Sequence, residues 1–237
     1  MSLRIQTSRW LAAVTMFWLA IPNLGADNAA GLAAFRKGDY SAAFREWKPL
    51  AERGAVEAEF NLGTLYEKGL GVNKNLDEAF KWYSLAAEQG QAQAEYRLGE
   101  IYARGAGKPQ NYGQASLWFT RAAEQGDPDA ETALAALYDE GDGIEKNYQE
   151  AARYYRLAAD QGNAEAQYRL GLLYARGRGV GKDPVQAYCW LTLAFARQQL
   201  EAGKEQERLA QRLSTEQLTQ ARACVRMWKP TSQGLRP

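Results

Sequence analysis

The sequence predicts an all-α fold, a solenoid of stacked helix pairs closed by a C-terminal capping helix segment. Three observations predict it. Gly54, Gly90, Gly126 and Gly162 stand 36 residues apart, and Tyr66, Tyr102, Tyr138 and Tyr174 keep the same spacing. The pairs Gly69/Gly71, Gly105/Gly107, Gly141/Gly143 and Gly177/Gly179 share it, followed by Ala79, Ala115, Ala151 and Ala187 and by Trp82, Trp118, Tyr154 and Trp190. The 22 glycines beside 13 tyrosines and 7 tryptophans, an odd mixture for regular structure, largely reflect this one unit counted four times. Gapless repetition at such a period marks units that bury their apolar faces by stacking on one another.

Residues 1–26 read apart from the rest. Arg4 and Arg9 form a positive segment, Trp10 to Ile21 is an apolar run of 12 residues, and Pro22, Asn23 and Gly25 break the helix before Ala26. That is the layout of a secretory signal peptide cleaved near Ala26. A helix of that length rises about 18 Å against the roughly 30 Å of a bilayer core, so the run is too short to span. The mature chain is therefore expected to be exported, periplasmic or secreted, and not membrane-spanning.

Residues 27–53 form a degenerate first repeat. Gly38-Asp39-Tyr40 leads into Ala43, Trp47, Leu50 and Ala51, in phase with Ala79, Tyr83, Ala86 and Ala87, but the turn at Lys37–Asp39 is short. Four full units occupy 54–197. In the first, a helix is expected from about Ala55 to Lys68, with Ala58, Leu62, Leu65 and Tyr66 on one stripe. Gly69 and Gly71 turn the chain. A second helix then starts near Asn75 or Asp77, carries Ala79, Trp82, Tyr83, Ala86 and Ala87, and ends at Gly90 as its C-cap. Gly63, Gly99 and Gly171 fall inside the first helices, where glycine costs about 1 kcal/mol relative to alanine. Their recurrence predicts a neighbouring helix too close for a side chain, with Ala135 as the smallest substitute.

After Phe195 the spacing reads as failing, with Gln198 where glycine is due. Residues 198–229 are read as capping helices, one over about Ala202 to Leu213. Ser214 with Gln217 makes a capping box for a last helix reaching Trp228, and Pro230 opens a tail over 230–237.

The pattern Ala-Glu-Gln-Gly, Leu-Gly, Tyr, Gly-x-Gly, Ala, Trp-Tyr, Ala-Ala resembles the Sel1-like repeat, a relative of the tetratricopeptide repeat, over residues 54–197. The resemblance implies a right-handed solenoid. It also implies a non-catalytic scaffold or adaptor whose first helices line a concave groove for a protein or peptide partner. On those helices the positions that drift in type between units are the ones freed from packing. The candidate partner-binding residues are Tyr96, Arg97, Glu100 and Arg104 in the second unit and Tyr168, Arg169, Leu172 and Arg176 in the fourth. Aromatic and guanidinium groups are the side chains that dominate interface energies. Unit three departs from the pattern at Thr132 and Ala135. A module for envelope polysaccharide or peptidoglycan, with tyrosines stacked on sugars, is the alternative.

An enzyme such as a hydrolase is disfavoured. The chain has no histidine, which removes His-dependent nucleophilic catalysis and histidine metal sites. Neither Gly177-Arg-Gly-Val-Gly-Lys182 nor Gly105-Ala-Gly-Lys108 completes a phosphate-binding loop. The pairs Glu57/Glu59, Asp127/Asp129 and Asp139/Glu140 read as solvated helix surface. No catalytic residue, metal site or cofactor is expected. With 29 Lys+Arg against 28 Asp+Glu, the chain lacks the basic footprint of a nucleic-acid binder. Cys189, in unit four, and Cys224, on the last helix, become neighbours if the tail caps that unit. They are a disulfide candidate in an exported protein, with two buried thiols as the other possibility.

Overall fold

A computed structural model describes residues 24–231. All but the last three residues of the predicted signal peptide lie outside them, as does the tail beyond Thr231. The described residues form twelve α-helices and no strand. The first pair is α1 (Leu24–Arg36) and α2 (Tyr40–Ala51), followed by α3 (Val56–Lys68) with α4 (Leu76–Glu88) and α5 (Ala92–Arg104) with α6 (Tyr112–Glu124). Then come α7 (Pro128–Glu140) with α8 (Tyr148–Asp160), α9 (Ala164–Arg176) with α10 (Pro184–Phe195), and finally α11 (Leu200–Ala210) and α12 (Thr215–Met227). From α1 to α11 each helix packs on the next in series, the contact pattern of a solenoid. Among the described residues no helix is long and apolar enough to cross a membrane. Gly25, read as a breaker, is instead helical in the first turn of α1.

Local chemistry fixes the helix ends. Asn75 Oδ1 accepts the Asp77 and Glu78 amides at 3.0 and 3.1 Å, starting α4. Asn111, Asn147 and Asp183 cap the corresponding helices in later units. First helices end on left-handed glycines, Gly69, Gly105, Gly141 and Gly177, at φ of 69°, 68°, 79° and 69°. Gly90 lies one residue beyond Gln89, the cap of α4, because its left-handed turn follows the last helical residue.

The second glycine of each loop has another task. A Cβ on Gly71 would come within 2.5 Å of the Tyr40 carbonyl carbon, and one on Gly143 within 2.6 Å of that of Tyr112. Gly107 meets Leu76 and Gly179 meets Tyr148 in the same way. Every loop therefore rests on the start of the preceding unit's second helix, and a side chain would push the units apart.

The interior glycines lie under side chains of the paired second helix. A Cβ on Gly63 would sit 2.6 Å from the Tyr83 ring, and one on Gly171 2.8 Å from Leu191. Gly99 faces Phe119, and Gly31 in α1 faces Trp47. The close approach expected at these sites is thus a buried ring or leucine lying on bare helix backbone. In unit three the equivalent Ala135 and Tyr155 share one buried cluster.

The repeat continues past Phe195. Gln198 occupies the glycine position and still adopts φ 69°, the left-handed turn of its predecessors. Ala202, 36 residues after Ala166, is fully buried like Ala94, Ala130 and Ala166 at the same phase. Helix α11 consequently sits where the first helix of a further unit belongs. It stops at Ala210 because the next residues turn into the Ser214–Gln217 capping box, which is fully formed. Helix α12 folds back onto α10. Cys189 and Cys224 join the two, Cα to Cα 6.0 Å.

Candidate partner-binding site

Two hollows open between successive first helices. One, of about 210 Å³, lies between α5, α6 and α7 and is lined by Tyr96, Glu100, Ala103, Arg104, Phe119, Ala133, Ala136 and Leu137. The other, of about 300 Å³, lies between α9, α10 and α11 and is lined by Leu172, Ala175, Arg176, Leu191, Glu205, Arg208, Leu209 and Arg212. They are the same place in the repeat, 72 residues or two units apart. Glu100, Ala103 and Arg104 correspond to Leu172, Ala175 and Arg176; Phe119 corresponds to Leu191; Ala133, Ala136 and Leu137 correspond to Glu205, Arg208 and Leu209. The floor is the residue that lies on the interior glycine, Phe119 on Gly99 or Leu191 on Gly171.

At two other junctions, α3 with α5 and α7 with α9, an arginine stands at the Ala133 and Glu205 phase. These are Arg97 and Arg169. Arg97 Nη1 donates to Glu100 Oε2 at 2.6 Å, and Arg104 Nη2 meets the other oxygen of Glu100 at 2.6 Å. Arg169 Nε donates to Glu165 Oε1 at 2.6 Å. Partial burial works to lower both guanidinium groups. Their carboxylate partners prevail, with Tyr83 beside Arg97 and Tyr155 beside Arg169, and hold them above the ordinary arginine value.

The candidate residues thus separate. Tyr96, Glu100 and Arg104 gather at the first hollow, and Leu172 and Arg176 at the second. Arg97 and Arg169 line neither; they are bound to carboxylates of their own helices. Tyr96 lies against Phe119, ring centroids 5.7 Å apart, and burial pushes its hydroxyl above the usual tyrosine range. Tyr168 packs into the cluster of Leu191, Ala194 and Ala202. Sequence reasoning misses Glu205, Arg208, Leu209 and Arg212, because the loss of glycine at 198 makes α11 read as a cap. The in-phase Ala202 is the signal that could have found them. Sequence reasoning also misses that small residues in unit three, Ala133 and Ala136, open the first hollow.

One acidic residue per unit needs a correction. Glu59, read as solvated, is 2% exposed, and Glu95 and Glu131 at the same phase are buried as well. The first-helix stripe turns them under the end of the paired second helix. There Gln89 Nε2 donates to Glu59 at 2.7 Å, Gln125 to Glu95 at 2.6 Å and Gln161 to Glu131 at 2.8 Å. The fourth unit replaces the acid with Gln167, whose Nε2 donates to the Ala159 carbonyl at 3.0 Å. Burial raises the carboxyls of Glu59 and Glu95 above the ordinary range, against the lowering effect of their glutamine partners. Their geometry is that of packing.

The Sel1 repeat family matches at residues 56–91, 92–127, 128–163 and 164–198. Among solved structures, a Sel1 repeat protein from Oxalobacter formigenes is 37% identical with a TM-score of 0.68, over 75% of this chain and 76% of that one. A protective antigen of uropathogenic Escherichia coli, described as displaying an SLR fold, is 29% identical with a TM-score of 0.58, over 86% of this chain. The match takes in about half of that antigen's length, 52%. An immunity protein of Pseudomonas aeruginosa, 19% identical over 87% of this chain and 84% of its own with a TM-score of 0.51, shares the fold. The curated proteins yield no match.

Proposed function

The chain belongs to the Sel1 repeat family, and from that premise we propose that it is a non-catalytic scaffold of the cell envelope, holding a protein or peptide partner along its first helices. The observation that carries this reading is the recurring hollow. Packing positions repeat from unit to unit, whereas the two hollows share an alanine, an arginine and a leucine and differ at three other surface positions: Glu100, Ala133 and Ala136 stand at one where Leu172, Glu205 and Arg208 stand at the other. A surface that varies over an invariant frame suits selective binding, since the frame is insensitive to those changes. Export is the compartment in which a disulfide between Cys189 and Cys224 persists, and it agrees with the leader-like residues 1–26. Residues 27–53 serve in this reading as the N-terminal repeat, and α11 with α12 as the closing end.

A photo-crosslinking residue placed at Ala136, on the first-helix side, tests it against one at Lys81, on an exposed stretch of α4. In envelope preparations the Ala136 probe should form a discrete protein adduct that the Lys81 probe does not. Adducts at both positions, or at neither, would refute the groove.

A further inference from the structure

The second hollow differs from the first in charge, and assigning it an occupant rests on the scaffold reading. Arg176, Arg208 and Arg212 stand on its rim, and its one carboxylate, Glu205, is engaged by Arg208 at 2.9 Å. An adjoining cavity of about 240 Å³ shares Ala175, Leu209 and Arg212 and adds Lys182. Arg176, Lys182 and Arg212 have no ion-pair partner among the described residues. In the first hollow Ala136 takes the place of Arg208, and Glu140 stands at the phase of Arg212. The excess of cations therefore comes from Arg208 on α11, Arg212 just beyond its end and Lys182 in the loop before α10. The floor beneath them is apolar, made by Leu172, Leu191 and Leu209.

We propose that this terminal hollow binds an acidic peptide segment of a partner protein, seating one apolar side chain on the leucine floor with Asp or Glu residues flanking it. Uncompensated cations around a desolvated floor complement such a segment, and guanidinium forks engage carboxylates bidentately. The cations ring a recess between helices. A flanking carboxylate reaches them when a side chain enters, whereas a flat bilayer surface is held off by the helices on either side.

The test is selection of random short peptides displayed on phage against the purified chain, with recovered sequences measured on variants. The expected result is enrichment of peptides with acidic residues around an apolar one. A synthetic representative should lose roughly tenfold or more in affinity on the R208E/R212E variant, as the loss and reversal of close charge pairs implies. It should keep its affinity on Ala136→Trp, which fills the first hollow. Both arginines are solvent-exposed, so the fold should survive, and far-UV circular dichroism checks it. Independently of any variant, affinity should drop as salt rises and when Asp and Glu in the peptide are replaced by Asn and Gln. Peptides without acidic bias, held equally by the R208E/R212E variant but lost on Ala136→Trp, would overturn this inference and leave the scaffold reading intact. No enrichment at all would overturn both. Arginine-dependent sedimentation with phosphatidylglycerol vesicles, without acidic peptides, would overturn it in favour of a membrane surface.

Discussion

Gln89 lies over Glu59, thirty residues earlier in the chain, and its amide donates to the buried carboxylate at 2.7 Å. The bond ties the N-terminal part of one helix to the end of its partner, and it recurs in the next two units. Its charge has a consequence for pH. Glu59 and Glu95 hold their protons more tightly when folded than when unfolded, burial being the main cause. Their contribution to stability is fully present below the ordinary carboxylate range and is lost as pH climbs through the raised value. A Glu59→Gln/Glu95→Gln variant should be more stable than the parent near neutrality, with a flatter dependence from mild acid upward. Urea denaturation at a series of pH values measures this, and parallel curves would contradict it. The natural Gln167 at the same phase indicates that the site accepts an amide.

Gln198 carries a side chain at φ 69° where its counterparts are glycines. A left-handed residue with a Cβ is strained by about 1–2 kcal/mol. Gln198→Gly should therefore stabilise the chain by about 1 kcal/mol after the extra unfolded-state entropy of glycine is deducted. Chemical denaturation reads the gain, and a loss would show that the Gln198 side chain contributes more than its backbone costs.

Gly63→Ala should do the reverse. Its new Cβ would lie 2.6 Å from the Tyr83 ring, whose hydroxyl is fixed by donation to Glu67 at 2.7 Å. Overpacking of this kind costs about 1–3 kcal/mol. Gly113→Ala, in α6, meets a single atom at 3.3 Å and serves as the control that should change stability little.

Much of the fold is legible in the sequence because repeat packing is periodic and its ends are local. The caps at Asn75 and Ser214 and the left-handed glycines follow from neighbouring residues alone. Gln198 hides the continuation of the repeat, since its backbone keeps a conformation its residue type disfavours. Burial of Glu59 is concealed by the usual solvation of carboxylates, although Glu at 59, 95 and 131 with Gln at 89, 125 and 161 is visible as a paired spacing. The hollows depend on which residue fills a gap between helices 36 residues apart, which no single helix stripe displays.

Reduction of Cys189–Cys224 should release α12 before the repeats unfold. A disulfide across 35 residues contributes about 3–4 kcal/mol on the loop-entropy estimate. Because solenoid stability is carried between neighbours, the loss should stay at this end. Hydrogen exchange with and without reductant should show α12 amides exposed while α5 and α6 keep their protection; uniform loss of protection would argue for one cooperative unit.

Arg97 and Arg169 stand at the phase where Ala133 and Glu205 line a hollow, so which units are neighbours decides where the hollows lie. Deleting residues 128–163 would keep every helix pair in register yet set Arg169 against α5 where Ala133 stood, shutting the first hollow. Duplicating residues 92–163 would keep both, whereas deleting them would leave only the second. The frame accepts any whole number of repeats, whereas a partner that spans both hollows depends on which first helices are neighbours and on how many units lie between the hollows.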